Sequence, residues 1–315
     1  MMENTQKTWI VTPVFEDVEA FTQLLQGLTG ALGDGFYVVA VDDASVQHPL
    51  PSDILEKQSI NGAIITLRRN VGHQQAIAIG LQHISTQLNP EDRVVIMDCD
   101  GEDRPESIPL LLQELNQDTF DVVVAARGLR TESKSFQIFY AVYKRLFRLL
   151  TGRAIGFGNF MALKPAAVQR MVAMRELATH TAATVLASKL RLGSCLVDRG
   201  TRYAGQSKMR LVGLVLHGFK ALMVFAEDVL VRVGLACAAI ASAAIAGALL
   251  AVILKAIGFA TPGWFSLALG ILMLTFIQTG ALALITLMMT GLVKGSAAAG
   301  IPRYEEFIDR IHTRQ

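Results

Sequence analysis

RVVIMDCDGED, Arg93 to Asp103, is the stretch on which the reading of this chain turns. RVVIM is a short, β-branched run without polar alternation, the pattern of a strand covered on both faces in a mostly parallel sheet. It runs directly into Asp98 and Asp100. In extended backbone, residues two apart share a side, so these two carboxylates are expected to point together while Cys99 points away. Held close, they repel unless something neutralises them. A hard divalent cation does so and fills its remaining positions with phosphate oxygens and water. The expectation is therefore a metal-diphosphate site, with Mg2+ or Mn2+ on Asp98 and Asp100 and Glu102 adding an oxygen. The bland alternative is a turn organised by aspartates.

Outward from this stretch the same strand type recurs as TWIVTPV (8–14), FYVVAV (36–41), GAIITL (62–67) and DVVVAA (121–126). Helical patterns near Val18 to Leu32, Gln74 to Gln87 and Glu106 to Leu115 alternate with them. That order predicts an α/β fold, a mostly parallel sheet with helices on each side and ligands beyond the strands' carboxyl ends. FYVVAV ends at Asp42 and Asp43, and DVVVAA ends at Arg127, so carboxylates and a cation converge on one edge. Asp42 and Asp43 should face opposite ways; Asp42 is expected to contact a nucleotide base or ribose, and Asp43 to brace the turn to Ser45. NVGHQQAI (70–77) opens a helix whose free N–H groups face the same crevice, with His73 read as a capping or packing residue. GFGNF (156–160) permits close backbone approach but lacks the P-loop spacing.

Composition separates this part from the rest. Hydrophobic residues make up 52% and charged residues 18% of 315, where soluble domains carry about 25% charged. The deficit is local: between Val233 and Val293 the one charge is Lys255. Val233 to Leu254 as a helix rises roughly 33 Å against a hydrocarbon core of about 30 Å. Trp264 to Val293 is longer than a span requires, and KAIGFATPG between them suits a turn. A membrane hairpin is expected. Arg210, Lys220 and Arg232 precede it and Lys294, Arg303 and Arg310 follow it, which predicts both ends, and both termini, on the cytoplasmic side of the cytoplasmic (inner) membrane. MMENTQKT is too polar to open a signal peptide. Cys99, Cys195 and Cys237 show no zinc spacing and are expected to be free thiols. Ser135 to Leu150 and Met209 to Asp228 are amphipathic at helical period, with basic residues beside apolar faces, as suits helices lying on anionic lipid. A net charge of +2 argues against a nucleic-acid partner.

TPVFED (12–17), VDDAS (41–45), NVGHQQAI (70–77), MDCDGEDRPE (97–106), AARGLR (125–130) and RYAGQSKMR (202–210) together resemble the family-2 glycosyltransferases, and among them the polyprenyl-phosphate glycosyltransferases. The resemblance implies a nucleotide-sugar-binding glycosyltransferase A-type domain and inverting transfer of a sugar from a UDP- or GDP-linked donor to a polyprenyl phosphate. It implies Asp98, Asp100 and Arg127 as catalytic residues, with Pro13, Asp42 and Asp98 at the donor nucleotide. It implies Arg127, Asn159, Arg202, Ser207 and Lys208 at the acceptor and phosphates, metal on Asp98, Asp100 and Glu102, and a possible homo-oligomer, a tetramer. Two departures stand out: Asn159 lies where the family often has Asp, and Glu102 where it usually has Gln. Transfer to another lipid, or a silent nucleotide-sugar-binding scaffold, are the competing readings. The expected organisation is a cytoplasmic glycosyltransferase domain over 1–208, an amphipathic juxtamembrane helix over 209–228, the hairpin over 229–293 and a cytoplasmic tail over 294–315.

Overall fold

The computed structural model describes residues 6–127, 134–203, 211–259, 263–297 and 303–314. In chain order the elements are β1 (Thr8–Val14), α1 (Val18–Leu32), β2 (Phe36–Asp42), α2 (Ile54–Lys57), β3 (Gly62–Leu67), α3 (His73–Ser85), β4 (Arg93–Ile96), α4 (Ile108–Leu115), β5 (Val122–Arg127) and α5 (Lys134–Thr151). They continue as β6 (Met161–Leu163), α6 (Pro165–Val172), α7 (Thr181–Ala187), β7 (Leu192–Val197), α8 (Leu211–Met223), α9 (Ala226–Ala256), α10 (Trp264–Ala297) and β8 (Ile308–Arg314).

One eight-stranded sheet runs in the order β7-β5-β6-β4-β1-β2-β3-β8. β6 is antiparallel to β4 and β5, and β8 to β3; the other neighbours are parallel. The apolar strands are buried on both faces, as expected. Ile10, Val38, Ala40, Ile64, Val95 and Val123 face a core with Phe21, Leu24 and Leu28 of α1 and Leu111 of α4. Their alternates Val11, Val39, Val41, Ile65, Val94 and Val122 face Ile77, Ile79 and Leu81 of α3 and Val168 of α6. Period-two alternation thus builds two cores from one sheet. The fold is the α/β, mostly parallel arrangement that the sequence predicts.

The chain divides into two compact units, one holding residues 1–144, 154–224 and 301–315, the other 145–153 and 225–300. The segment expected to be a tail is corrected here: Ile308–Arg314 is the sheet's edge strand, with Ile64 opposite His312, and Arg314 Nη1 donates to the Leu55 carbonyl at 2.6 Å. In the first unit, Tyr143 of α5 donates to the Gly218 carbonyl of α8 at 3.3 Å; a Cβ on Gly218 would come within 2.8 Å of the Tyr143 ring, so only glycine allows this approach. The second unit holds two helices long and apolar enough to cross a membrane, Ala226–Ala256 and Trp264–Met289. Leu249, Leu267, Leu284 and Leu287 are more than 60% exposed along them, unlike side chains on a soluble protein's core helix. Cys99, Cys195 and Cys237 are free.

Candidate active site

The ladder between β1 and β4 ends at Val11 and Ile96, with Met97 N–H donating to the Val11 carbonyl at 3.2 Å. Two residues on, the same edge of β1 presents Pro13, which has no N–H to offer. On the other edge β1 and β2 stay paired to Val14 and Asp42. β1 and β4 are therefore free to part at their carboxyl ends, where the strand order reverses and where open α/β sheets bind ligands. Pro13, expected at the donor nucleotide, is buried at the end of β1 beside this gap.

Asp98 and Asp100 follow β4 into the gap. The strand stops at Ile96, two residues before Asp98, and a turn begins at Cys99 and Asp100. Asp98 N–H donates to Asp103 Oδ2 at 3.0 Å, and Glu102 N–H donates to Asp100 Oδ1 at 3.0 Å. Gly101 makes the turn possible: its φ is +90°, and a Cβ would meet the Tyr203 ring at 2.8 Å and the Thr201 carbonyl at 2.9 Å. The 199–203 segment is stitched to the turn, with Gly200 N–H donating to the Glu102 carbonyl and Tyr203 N–H to the Asp100 carbonyl.

Each of the two aspartates meets a basic side chain. Asp98 Oδ1 lies 3.2 Å from His73 Nε2, and Asp100 Oδ2 lies 3.0 Å from Arg202 Nη2. Burial, with the charges of Asp98 and Glu102, holds the Asp100 carboxyl above its ordinary value, against the Glu102 N–H and Arg202. Burial pulls the His73 imidazole down, but Asp98, Asp100 and Asp103 outweigh it and hold it up. Glu102 differs: its carboxylate is bonded to Arg199 and, at 2.8 Å, to Arg202 Nε. Burial would raise it, yet these two guanidiniums keep it below the usual carboxylate range. Glu102, expected to add a metal oxygen, is held here by two guanidiniums, one of which, Arg202, it shares with Asp100.

Asp98 and Asp100 suit a hard divalent cation: two oxygen-donor side chains, half-buried, electrostatically coupled, at the mouth of the strand gap. Among the described residues no three His, Cys, Asp or Glu side chains gather as a metal site.

Asp42 and Asp43 stand apart from this arrangement. Asp42 is fully buried, its Oδ1 accepting from Ser45 N–H at 3.0 Å and its Oδ2 from Leu50 N–H at 3.2 Å. Asp42, expected at a base or ribose, here organises the loop after β2, the work expected of Asp43. Asp43 accepts from Val71 N–H at 2.7 Å and Gly72 N–H at 2.9 Å, fixing the entry to α3. Burial first, then Asp42, raises its carboxyl against those two N–H bonds.

His73, read from sequence as a cap or packing residue, is instead the neighbour of Asp98. Its signal was its place at the start of the helix entering the crevice. Asn159 lies beside it, Nδ2 to His73 Nε2 at 2.9 Å. His180, its ring tilted by 37° against that of His217 at 4.3 Å between centroids, carried no sequence signal. Arg127 ends β5 opposite Val197, as placed by its backbone, while Ser207 and Lys208 lie outside the described residues.

Residues 9–177 match the model of Glycosyl transferase family 2. Among solved structures, Staphylococcus aureus TarS 1-349 is 16% identical with TM-score 0.45, over 72% of this chain and 65% of that one. This chain spans only 40% of the longer TarS structure. Glucosyl-3-phosphoglycerate synthase from Mycobacterium tuberculosis, in complex with Mn2+ and UDP-glucose, is 12% identical with TM-score 0.50, over 71% of this chain and 79% of that one. Mannosyltransferase PcManGT from Pyrobaculum calidifontis, in complex with GDP-Man and Mn2+, is 17% identical with TM-score 0.45, over 90% and 88%. The likeness to the synthase at TM-score 0.50 is, at 12% identity, one of fold alone.

Proposed function

The chain belongs to glycosyl transferase family 2, and from that premise we propose that it transfers a sugar from a nucleotide-sugar donor to a polyprenyl phosphate at the cytoplasmic face of a membrane. The observation that carries the membrane part is connectivity. The chain leaves the first unit through α9 and returns after α10 to pair β8 with β3. An even number of spans is required of a hairpin whose two ends join one folded unit, and the basic residues flanking it support the cytoplasmic side. The amphipathic Ser135–Leu150 and Met209–Asp228 stretches support a site held at the bilayer surface, where a lipid's phosphate enters while its tail stays in hydrocarbon.

Asp98 and Asp100 hold the divalent cation, Mg2+ or Mn2+, which when bound stabilises charge on the departing diphosphate. Arg202 stands next to Asp100 as the cation ready to exchange that carboxylate for a phosphate oxygen. Arg127, Ser207 and Lys208 complete the phosphate contacts in this reading. The acceptor's phosphate oxygen attacks the anomeric carbon as the bond to the nucleoside diphosphate breaks, inverting the configuration. The nucleophile needs no general base, because a phosphate monoester has a second pKa near 6.

Membranes carrying the full chain, supplied with Mn2+ or Mg2+, polyprenyl phosphate and a panel of labelled UDP- and GDP-sugars, test this. Labelled lipid that disappears with Asp98→Ala and with Asp100→Ala is the expected result. Label passing instead to diacylglycerol, ceramide or phosphoglycerate overturns the acceptor; nucleotide-sugar binding with no transfer across the panel overturns the reaction.

A further inference from the structure

Two guanidiniums from one short segment reach the same carboxylate of the acidic turn. Gly200 N–H donates to the Glu102 carbonyl at 3.0 Å and Tyr203 N–H to the Asp100 carbonyl at 2.9 Å, so the backbone fixes the 199–203 segment against the turn. No side chain fits at position 200, where a Cβ would run into the Gly101 carbonyl. The two arginines flank this contact. Arg199 Nη2 is paired with Glu102 Oε2, and Arg202 Nε donates to Glu102 Oε1 at 2.8 Å. Each oxygen of the carboxylate therefore has its own guanidinium. Arg202 has a second contact, since its Nη2 lies 3.0 Å from Asp100 Oδ2.

We propose that Arg199 is a positioning residue that neutralises Glu102, so that Arg202 stays available to the diphosphate of the donor. The proposal rests on the nucleotide-sugar reading above and names the residue that keeps its phosphate cation free to serve. The Glu102 side chain is only 15% exposed, and a carboxylate so enclosed draws harder on one partner when the other is removed. Without Arg199, a diphosphate has to win Arg202 from Glu102 as well as from Asp100, and it meets an uncompensated negative charge beside its own. Arg199 acts through Glu102, which gives it a signature that an arginine touching phosphate, or one merely holding the fold, does not have. Its loss is repaired by removing the charge it answers. A glutamine at 102 still accepts from Arg202 through its amide oxygen and carries no charge.

The test is a double-mutant cycle on the full chain in neutral detergent, reading affinity for UDP and for GDP with Mn2+ present, beside thermal melting of each sample. Arg199→Met is expected to weaken binding of the nucleotide that the wild type takes by about tenfold. Glu102→Gln should change that affinity by less than about threefold, and the two substitutions together should bring it back to within about threefold of wild type. Arg199→Lys, which keeps the charge and loses the planar fork, should retain most of the affinity. In transfer assays Arg199→Met should raise the donor KM more than it lowers kcat, with recovery in the double variant. A double variant as weak as Arg199→Met overturns the proposal, because Arg199 then serves the ligand or the fold directly. So does an Arg199→Met chain that binds nucleotide as the wild type does, or a Glu102→Gln chain that loses nucleotide binding altogether. Should Arg199→Met not fold, Arg199→Gln carries the same prediction and the same refutation. A wild type that binds neither UDP nor GDP sinks the donor reading and this proposal with it; failed repair in a chain that binds nucleotide sinks the role of Arg199 alone.

Discussion

Two strand ends in this molecule carry paired aspartates, and they are neutralised in different ways. After β2, Asp42 and Asp43 are satisfied by backbone N–H groups of Ser45, Leu50, Val71 and Gly72. After β4, Asp98 and Asp100 meet the side chains of His73 and Arg202. Backbone donors belong to the fold and leave only if it unravels, since each buried N–H left unpaired costs about 1–3 kcal/mol. Basic side chains are able to turn aside and exchange their carboxylate for a ligand's phosphate. The first pair builds the walls of the cleft, and the second is available for chemistry.

The largest effect expected from this contrast is on turnover. Asp98→Asn or Asp100→Asn should lower kcat/KM by about a hundred- to a thousandfold, with the melting temperature little changed, as steady-state kinetics and thermal denaturation on the same samples will report. Asp43→Ala should do the reverse. With Val71 and Gly72 N–H unpaired, it should destabilise the sheet unit by roughly 2–4 kcal/mol in denaturant titration, while the protein that remains folded keeps its turnover. A large loss of turnover with unchanged stability in Asp43→Ala would erase the distinction.

This contrast was only half legible in the sequence. The apolar runs that became β1, β2, β3 and β5 were readable because burial on both faces leaves no room for polar residues. β6 is three residues long, β7 mixes exposed and buried positions, and β8 reads IDRIHTR, a polar edge strand whose place depends on the chain coming back from the hairpin. Asp98 and Asp100 stood out at the end of a buried-type strand. What the pattern could not supply was the partner list. Glu102 is claimed by Arg199 and Arg202 from far along the chain, and Asp42 by amides of a loop whose course no periodicity encodes. Proximity in sequence reveals which groups are charged; the tertiary fold decides which charges are already spoken for.

A smaller effect should follow from the turn between the two acidic residues. Gly101→Ala places a Cβ against Tyr203 at a φ of +90°, so the turn has to shift. Mn2+-nucleotide affinity should fall several-fold in titration calorimetry, with a stability loss of about 1–3 kcal/mol. An unchanged affinity would mean that the turn's shape is immaterial to the ligand.

The smallest effect concerns acid. Burial, then His217 and Lys220, depress the His180 imidazole to about 3 from 6.5. The unfolded chain therefore takes up a proton that folded His180 refuses between those values. Stability from this site is full above pH 6.5 and is lost as pH falls toward 3. His180→Asn, which retains a capping oxygen, should show a smaller drop in melting temperature between pH 7 and pH 5 than the wild type. An identical drop would place the acid sensitivity elsewhere.

Binding of Mn2+ in the presence of UDP or GDP, followed by electron paramagnetic resonance on the full chain, reaches the central claim most directly. Bound Mn2+ that vanishes in Asp98→Asn and in Asp100→Asn, and persists in Glu102→Gln, is the predicted result. Mn2+ binding that survives both aspartate changes, or that needs Glu102 instead, would contradict it.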